Sequence, residues 1–296
     1  MNDKQMPIRW LFDPSMHNNH VATAVPEIVL LGYDRFNEAL SLTDHLHEDC
    51  FEFVYMESGK ASWVVDGETY ASHTGQLFHT RPNEWHRARL HHIEPCTIWW
   101  IIVTDPGTSN EWLRLASDEK KALESALRSL PRVITVDSRV RSDFHLMREA
   151  VEQNDSHAAL KIRHCLTDIL LQAMQPRDSN LLPQDLQESM ASLALNIEQN
   201  PDQPWTIERL ADELGISESH VYRVFRQLHG QSPAAFIERL RIDQACAILA
   251  SQPDKPVTDI AFDLGFKTSQ HFATVFKKCT GHTPSQWRKL QKDKLG

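Results

Sequence analysis

Cysteine is sparse in this chain and poorly placed for cross-linking. Cys50, Cys96, Cys165, Cys246 and Cys279 are odd in number and far apart, and no CxxC pair occurs. That pattern indicates neither a disulfide framework nor a zinc finger. Long apolar runs are missing as well: none approaches the ~18 to 20 residues needed to span a bilayer. The opening residues, MNDKQMPIRW, lack the basic-then-apolar pattern of a secretory leader. Together these absences point to the cytoplasm. Excess positive charge is also absent, with 31 Lys and Arg against 40 Asp and Glu, a formal net charge of −9. Taken alone, that balance argues against a nucleic-acid partner. The distribution says otherwise. From Leu186 onward there are 13 basic and 13 acidic residues, so the acidity lies in the front of the chain. A back part that is neutral overall can still present a basic face.

What is present is enough chain, 296 residues, for two domains with real cores. The front third reads as strands. FEFVYM (51–56), ASWVV (61–65), TYAS (69–72) and TIWWIIV (97–103) are rich in β-branched and aromatic residues. Asp66-Gly67 between two of these runs is a two-residue hairpin signal. Gly59, Gly75 and Pro82 punctuate the region, and many short strands with regular turns predict a small barrel or jelly roll. After Gly107 the pattern turns helical. SDEKKALESALRSL carries a possible cap at Ser117. Further amphipathic helices are expected over 138–152 and 156–173. In the latter, Leu160, Cys165, Ile169 and Met174 fall near one face with Leu166 and Leu170 beside it, a stripe that suits core packing. QPRDSNLLPQD (175–185) reads as a polar linker.

The last hundred residues hold two helix-turn-helix patterns in tandem, 205–230 and 257–281. In the first, Thr206 is a plausible N-cap and Ile207, Leu210, Ala211 and Leu214 form a buried face. Gly215 makes the turn and Ser217 caps the second helix. Val221, Val224, Phe225 and Leu228 face inward. Glu218, Ser219, Tyr222, Arg223 and Arg226 are left outward. In the second, Ile260, Ala261 and Leu264 are buried, Gly265 makes the bend and Thr268 caps. Phe272, Val275 and Phe276 pack inward, leaving Ser269, Gln270, His271, Thr274, Lys277 and Lys278 to face DNA or solvent. Arg can donate twice to guanine and Gln can pair with adenine, while Lys serves phosphate. Between the units, Ser232 and Pro233 start what should be one stiff helix, able to hold two recognition helices about 34 Å apart, one DNA turn.

Residues from about 190 to 289 resemble the DNA-binding domain of the AraC/XylS family of bacterial transcription regulators. The resemblance is carried by Gly265-Phe266, Phe276-Lys277-Lys278, Gly281 to Pro284 and Trp287-Arg288. It implies base reading by Ser219, Tyr222 and Arg223 in the first unit and by Ser269, Gln270 and Thr274 in the second. The family often has Arg where this chain has Thr274, so the second unit is expected to rely more on phosphate.

His45-Leu46-His47, followed by Glu52, Gly59, Gly75 and His86, resembles the cupin pattern. His45 and His47 would share a face in a strand, and a barrel can bring Glu52 and His86 to them. Three imidazoles and a carboxylate would suit Fe(II), Mn(II) or Zn(II). The pattern departs from metal-binding cupins at Ala39, at Pro82, one position late, and at Glu84, which takes a Gly position. The favoured reading is therefore a ligand pocket with no metal or other cofactor. Trp63, Phe78, Trp85, Trp99 and Trp100 lie nearby. Trp99 and Trp100 must point to opposite faces, and comparison with sugar-responsive relatives favours Trp100 as the one lining the pocket.

The fold expected is thus α+β and multidomain. A cupin-like β-barrel or jelly roll with dimerisation helices occupies residues 1–176, followed by a linker at 177–186. An all-α domain of two helix-turn-helix units joined by a linker helix occupies 187–296. The function expected is sequence-specific transcription regulation, activation being the commoner role in the family, by a homodimer that binds promoter DNA and meets RNA polymerase. A small molecule, a sugar or sugar derivative, would switch it through His45, His47, Glu52, His86 and Trp100. Two alternatives stand beside this: a metal-dependent cupin enzyme fused to a DNA-binding module, using His45, His47, Glu52 and His86, and a regulator with no small-molecule effector.

Overall fold

The computed structural model describes residues 8–16, 20–109, 111–175 and 183–295. The expected linker lies mostly outside them, at 177–182. The strands in chain order are β1 (Ile8–Phe12), β2 (Ile28–Arg35), β3 (Leu40–Ser41), β4 (Cys50–Ser58), β5 (Lys60–Val65), β6 (Glu68–His73), β7 (Gln76–Thr80), β8 (His86–Ala88), β9 (His92–Ile93), β10 (Thr97–Thr104) and β11 (Val133–Thr135). The helices are α1 (His20–Ala24), α2 (Ser117–Ser129), α3 (Arg139–Gln153), α4 (Ala158–Met174), α5 (Gln184–Gln199), α6 (Ile207–Leu214), α7 (Glu218–His229), α8 (Pro233–Ser251), α9 (Val257–Asp263), α10 (Ser269–Thr280) and α11 (Pro284–Leu295). The chain divides into two compact units, Met1–Asn37 with Leu42–Ser179, and Glu38–Ser41 with Asn180–Gly296. Among the described residues no helix is long and apolar enough to cross a membrane.

The first unit is built on a six-stranded sheet in the order β1-β2-β10-β4-β7-β11 and a three-stranded sheet in the order β6-β5-β8. The β5–β6 hairpin closes on Asp66-Gly67. Val65 pairs with Glu68, and both turn residues have positive φ, 52° and 84°. That is the left-handed turn matching the twist of the strands it joins. Alternation along β10 sorts the side chains. Trp99, Ile101 and Val103 enter the core shared with the helices. Ile98 and Trp100 turn to the other face, against Val54, Met56, Trp63 and Phe78. Trp63 stacks flat on Phe78 with ring centroids 4.8 Å apart, and its indole N–H donates to Ser72 Oγ at 2.9 Å. These two aromatics are therefore barrel core.

The helical layer packs Val140, Phe144, Met147 and Val151 of α3 against Ile162, Leu166, Ile169 and Leu170 of α4. Two expectations are corrected here. Ser117 is the first helical residue of α2 and does not cap it; the N-cap is Ala116. Glu119 supplies the cap instead, its carboxylate accepting from the Ala116 N–H at 2.9 Å. Leu160 is 67 % exposed and does not join the buried stripe of α4: it stands two residues from both Ala158 and Ile162, which are buried, and so faces away from their side of the helix.

In the second unit, α5, α6, α7 and the first half of α8 enclose one core, with Met190, Ile197, Leu210, Val221, Val224 and Phe225 deeply buried. The helix ends follow side-chain chemistry. Thr206, Ser217, Ser232 and Thr268 each accept a backbone N–H three residues on, at 3.3, 3.3, 3.3 and 3.1 Å. Gly215 leaves α6 in the left-handed region at φ 63°, where a Cβ would be strained. Phe266, Phe272, Phe276 and Trp287 are buried in the second head and meet edge-to-face or tilted at 5.2–6.1 Å.

Candidate functional site

Two arrangements carry chemistry. The first gathers His45, His47, Glu52 and His86. One ligand atom from each lies within 4.8 Å of all the others. Glu52 projects from β4, where it pairs with Ile102 of β10 and Thr80 of β7. His86 opens β8. The His45–His47 segment is not the continuous strand expected from sequence. His45 forms an isolated antiparallel bridge with His86, exchanging N–H···O bonds of 3.0 and 2.9 Å. His47 follows outside any strand and is fixed by its carbonyl, which accepts from the Asn83 N–H at 3.0 Å.

The rings are oriented by the backbone. His45 Nδ1 donates to the Thr43 carbonyl at 2.8 Å and His86 Nδ1 to the Glu84 carbonyl at 3.0 Å. A carbonyl can only accept, so each Nδ1 carries a proton; Nε2 is then a lone pair in the neutral ring and an N–H in the imidazolium, the form that Glu52 favours at His86. His86 Nε2 lies 3.1 Å and His47 Nε2 3.7 Å from Glu52 Oε2. Neither contact is aligned as a hydrogen bond, and both nitrogens are buried without a hydrogen-bond partner. Burial opposes the Glu52 charge, but the two imidazoles outweigh it and hold its carboxyl well below the usual carboxylate range. Burial likewise disfavours the His86 cation, and Glu52 outweighs it, raising His86. Burial lowers His45. Orphaned Nε2 atoms facing one carboxylate, with Nδ1 anchored behind, are a donor set that fits a divalent transition metal.

Trp100 lies on the same face, one pair along: Val54 opposes Trp100 where Glu52 opposes Ile102. It is half-buried. Its ring packs over Gly32, where an added Cβ would fall 2.3 Å from the indole carbons. Its N–H is committed to Asp34 Oδ2 at 2.9 Å. Trp99, on the opposite face, donates to Glu57 instead, at 2.7 Å, and Trp85 is exposed.

Two residues around this site were not singled out from sequence as participants. Asp34 is buried on β2; burial raises its pKa, opposed by Trp100 and Arg9. The alternation Leu30, Gly32, Asp34 was the available signal. Glu84, noted only as a departure, holds Arg132 through two contacts of 2.6 Å and the Arg81 N–H at 2.7 Å. The same residue's carbonyl aims His86.

The second arrangement is the pair of recognition helices, α7 and α10. Ser219, Tyr222, Arg223 and Arg226 are all exposed on α7, while Val221, Val224 and Phe225 are buried. On α10, Gln270, His271, Thr274, Lys277 and Lys278 are exposed and Ser269 is half-buried. Two of these are partly occupied. The Thr274 hydroxyl donates back to the Gln270 carbonyl at 2.9 Å. His271 Nε2 lies 3.5 Å from Glu238 Oε1, its ring against Phe266.

Comparison with known proteins agrees with both halves. Residues 210–290 match a helix-turn-helix domain family and residues 37–102 a cupin domain family. The HTH-type transcriptional activator RhaR of Cronobacter sakazakii is 25 % identical over 90 % of this chain and 93 % of its own. An uncharacterized HTH-type transcriptional regulator of Haemophilus influenzae is 29 % identical over 54 % of this chain, a match spanning 57 % of that relative. A solved structure of a probable AraC family transcriptional regulator from Rhodopseudomonas palustris is 30 % identical, covering 35 % of this chain and 97 % of that one, with a TM-score of 0.33. The chain belongs to the AraC family of transcription regulators. As an AraC-family member it is a DNA-binding regulator, with a cupin domain ahead of its helix-turn-helix region.

Proposed function

We propose that this AraC-family regulator activates transcription in response to a small polyhydroxylated molecule of the carbohydrate class. The effector occupies the inner face of the barrel, where His45, His47, Glu52 and His86 bond its hydroxyls and Trp100 offers a ring face. The convergence of three imidazoles and one carboxylate within 4.8 Å carries this reading. Residues 1–176 sense and dimerise through the α2–α4 layer, and residues 187–296 read promoter DNA in the cytoplasm and meet RNA polymerase. Ser219, Tyr222 and Arg223 read bases in the first head, with Arg226 facing the DNA beside them. Ser269, Gln270, His271 and Thr274 make shorter contacts in the second, and Lys277 and Lys278 hold phosphate. Effector binding shifts the balance between arrangements that do and do not fit paired half-sites.

The orphaned Nε2 atoms of His47 and His86 favour a second form of the same reading, in which the four side chains hold a divalent transition metal. A bound metal would supply a Lewis acid for an effector oxygen. His45 and His86 would be aimed by the Thr43 and Glu84 carbonyls, and Glu52 would balance the charge.

Thermal denaturation with a sugar panel, run on metal-free protein and on protein loaded with Mn(II) or Zn(II), tests both forms. A sugar at ~100 times its Kd adds about 2.7 kcal/mol of stability. A shift lost in His47→Ala supports the site. A shift that survives in both His47→Ala and Trp100→Ala removes it. A sugar shift seen only with metal selects the second form.

A further inference from the structure

The two heads are joined by α8, and one side chain of that helix touches both. Arg241 is half-way along α8, and its guanidinium donates to three carbonyls. Nε bonds Pro201 O at 2.8 Å and one terminal nitrogen bonds Gln203 O at 3.2 Å, both in the loop that opens the first head. The other terminal nitrogen bonds Gly265 O at 3.1 Å, at the bend of the second. The Phe266 ring, beside that bend, has its centroid 5.8 Å from the guanidinium carbon.

The junction is close on both sides. Gly265 has φ +75°, and a Cβ added there would lie 2.9 Å from an Arg241 nitrogen and 2.9 Å from the Asp202 carbonyl oxygen. The bend of the second head therefore seats directly on the entry loop of the first, with the guanidinium filling the corner. A planar fork with donors fixed in several directions suits this corner, whereas an ammonium is a single point charge on a flexible stem.

We infer that Arg241 is a positioning residue for DNA reading: it fixes the angle between the two heads and so sets which spacing between the segments read by α7 and α10 the regulator accepts. This rests on the reading that both heads engage DNA. Arg241 need not touch DNA. It acts through the relative placement of α7 and α10. Two linked modules gain affinity only when their geometry permits simultaneous engagement, and a loosened joint accepts more spacings with less gain at each.

Sites for the wild-type regulator are obtained by selection from random DNA. Within one half-site, the segments read by α7 and α10 are then moved apart in single base-pair steps through about one helical turn. Affinities are measured for wild type, Arg241→Lys and Arg241→Met, with thermal midpoints beside them. Wild type is expected to show one sharp spacing optimum. Both variants should keep wild-type affinity for DNA carrying only the segment read by one head, lose about tenfold at the optimum and accept neighbouring spacings nearly as well. A residue with a merely structural role would weaken all sites alike and leave the optimum in place. If Arg241→Met does not fold, Arg241→Lys decides. A folded variant with an unchanged spacing profile overturns the inference. A wild-type protein with no spacing optimum overturns the two-head reading, and this inference with it.

Discussion

The barrel and the reading heads treat polar side chains in opposite ways. In the barrel, His86, Glu52 and Asp34 are buried, at 1 %, 9 % and 4 % exposure; His86 faces Glu52, and Asp34 faces Trp100. On α7 and α10 the polar residues stand in water over an apolar underside. A buried polar group is costly unless a partner completes it, and removing that partner leaves the cost behind. An exposed group costs almost nothing to display or delete. Changes in the barrel should therefore register as stability and ligand response, and changes on the heads as DNA affinity alone.

The largest expected effect tests the buried side. His86→Ala removes the imidazole nearest Glu52 and strands a carboxylate that has little access to water. Breaking a buried pair costs about 3–5 kcal/mol, read as a large drop in thermal midpoint with DNA affinity of the remaining folded protein unchanged. An unaltered midpoint would show that Glu52 is solvated. Next comes Arg223→Ala, on the displayed side. It should lower affinity for the selected site by about 1–3 kcal/mol and relax preference at one base pair, leaving the midpoint in place. Equal losses on specific and random DNA would remove its reading role.

Smaller again is a carboxyl in the helical layer. Burial first, and Asp168 next, push Asp143 up to about 6. A raised folded pKa means that its contribution is complete below the ordinary carboxylate value and is lost as pH rises through about 6. Asp143→Asn, neutral throughout, should gain about 1–2 kcal/mol at pH near 8 and flatten the pH dependence above 5. Superimposable pH profiles would count against this. The smallest effect is Lys277→Ala: a uniform weakening on all sequences, with the salt slope reduced by about one. A sequence-dependent loss would move Lys277 from phosphate to base reading.

The heads were the more legible half. Their signals are local: a capping hydroxyl, a small residue, a glycine and an apolar period all lie within about twenty residues, and each recurs in the structure. The Asp66-Gly67 hairpin was legible for the same reason. Two readings failed within single helices. Ser117 has a capping side chain, yet Glu119 reaches the Ala116 N–H instead. Leu160 is apolar but lies between Ala158 and Ile162, both buried, on the other side of α4. The strands β1, β2 and β11 carry no turn signal as clear as Asp-Gly and are defined by their neighbours in the large sheet. In the barrel, spacing alone pointed to His45, His47, Glu52 and His86. Asp34 and Glu84 gained their roles only from Trp100 and Arg132, which stand 66 and 48 residues away.

Control of the displayed heads by the buried cluster is what joins the two halves. It is tested most directly by measuring affinity for the selected DNA site with and without the stabilising sugar or metal, in wild type and in Glu52→Gln. A change of at least about tenfold is expected in wild type, absent in Glu52→Gln, whose affinity without ligand stays at the wild-type value. The same ligand-induced change in both proteins, or a wild-type affinity indifferent to a ligand that binds the barrel, would contradict it.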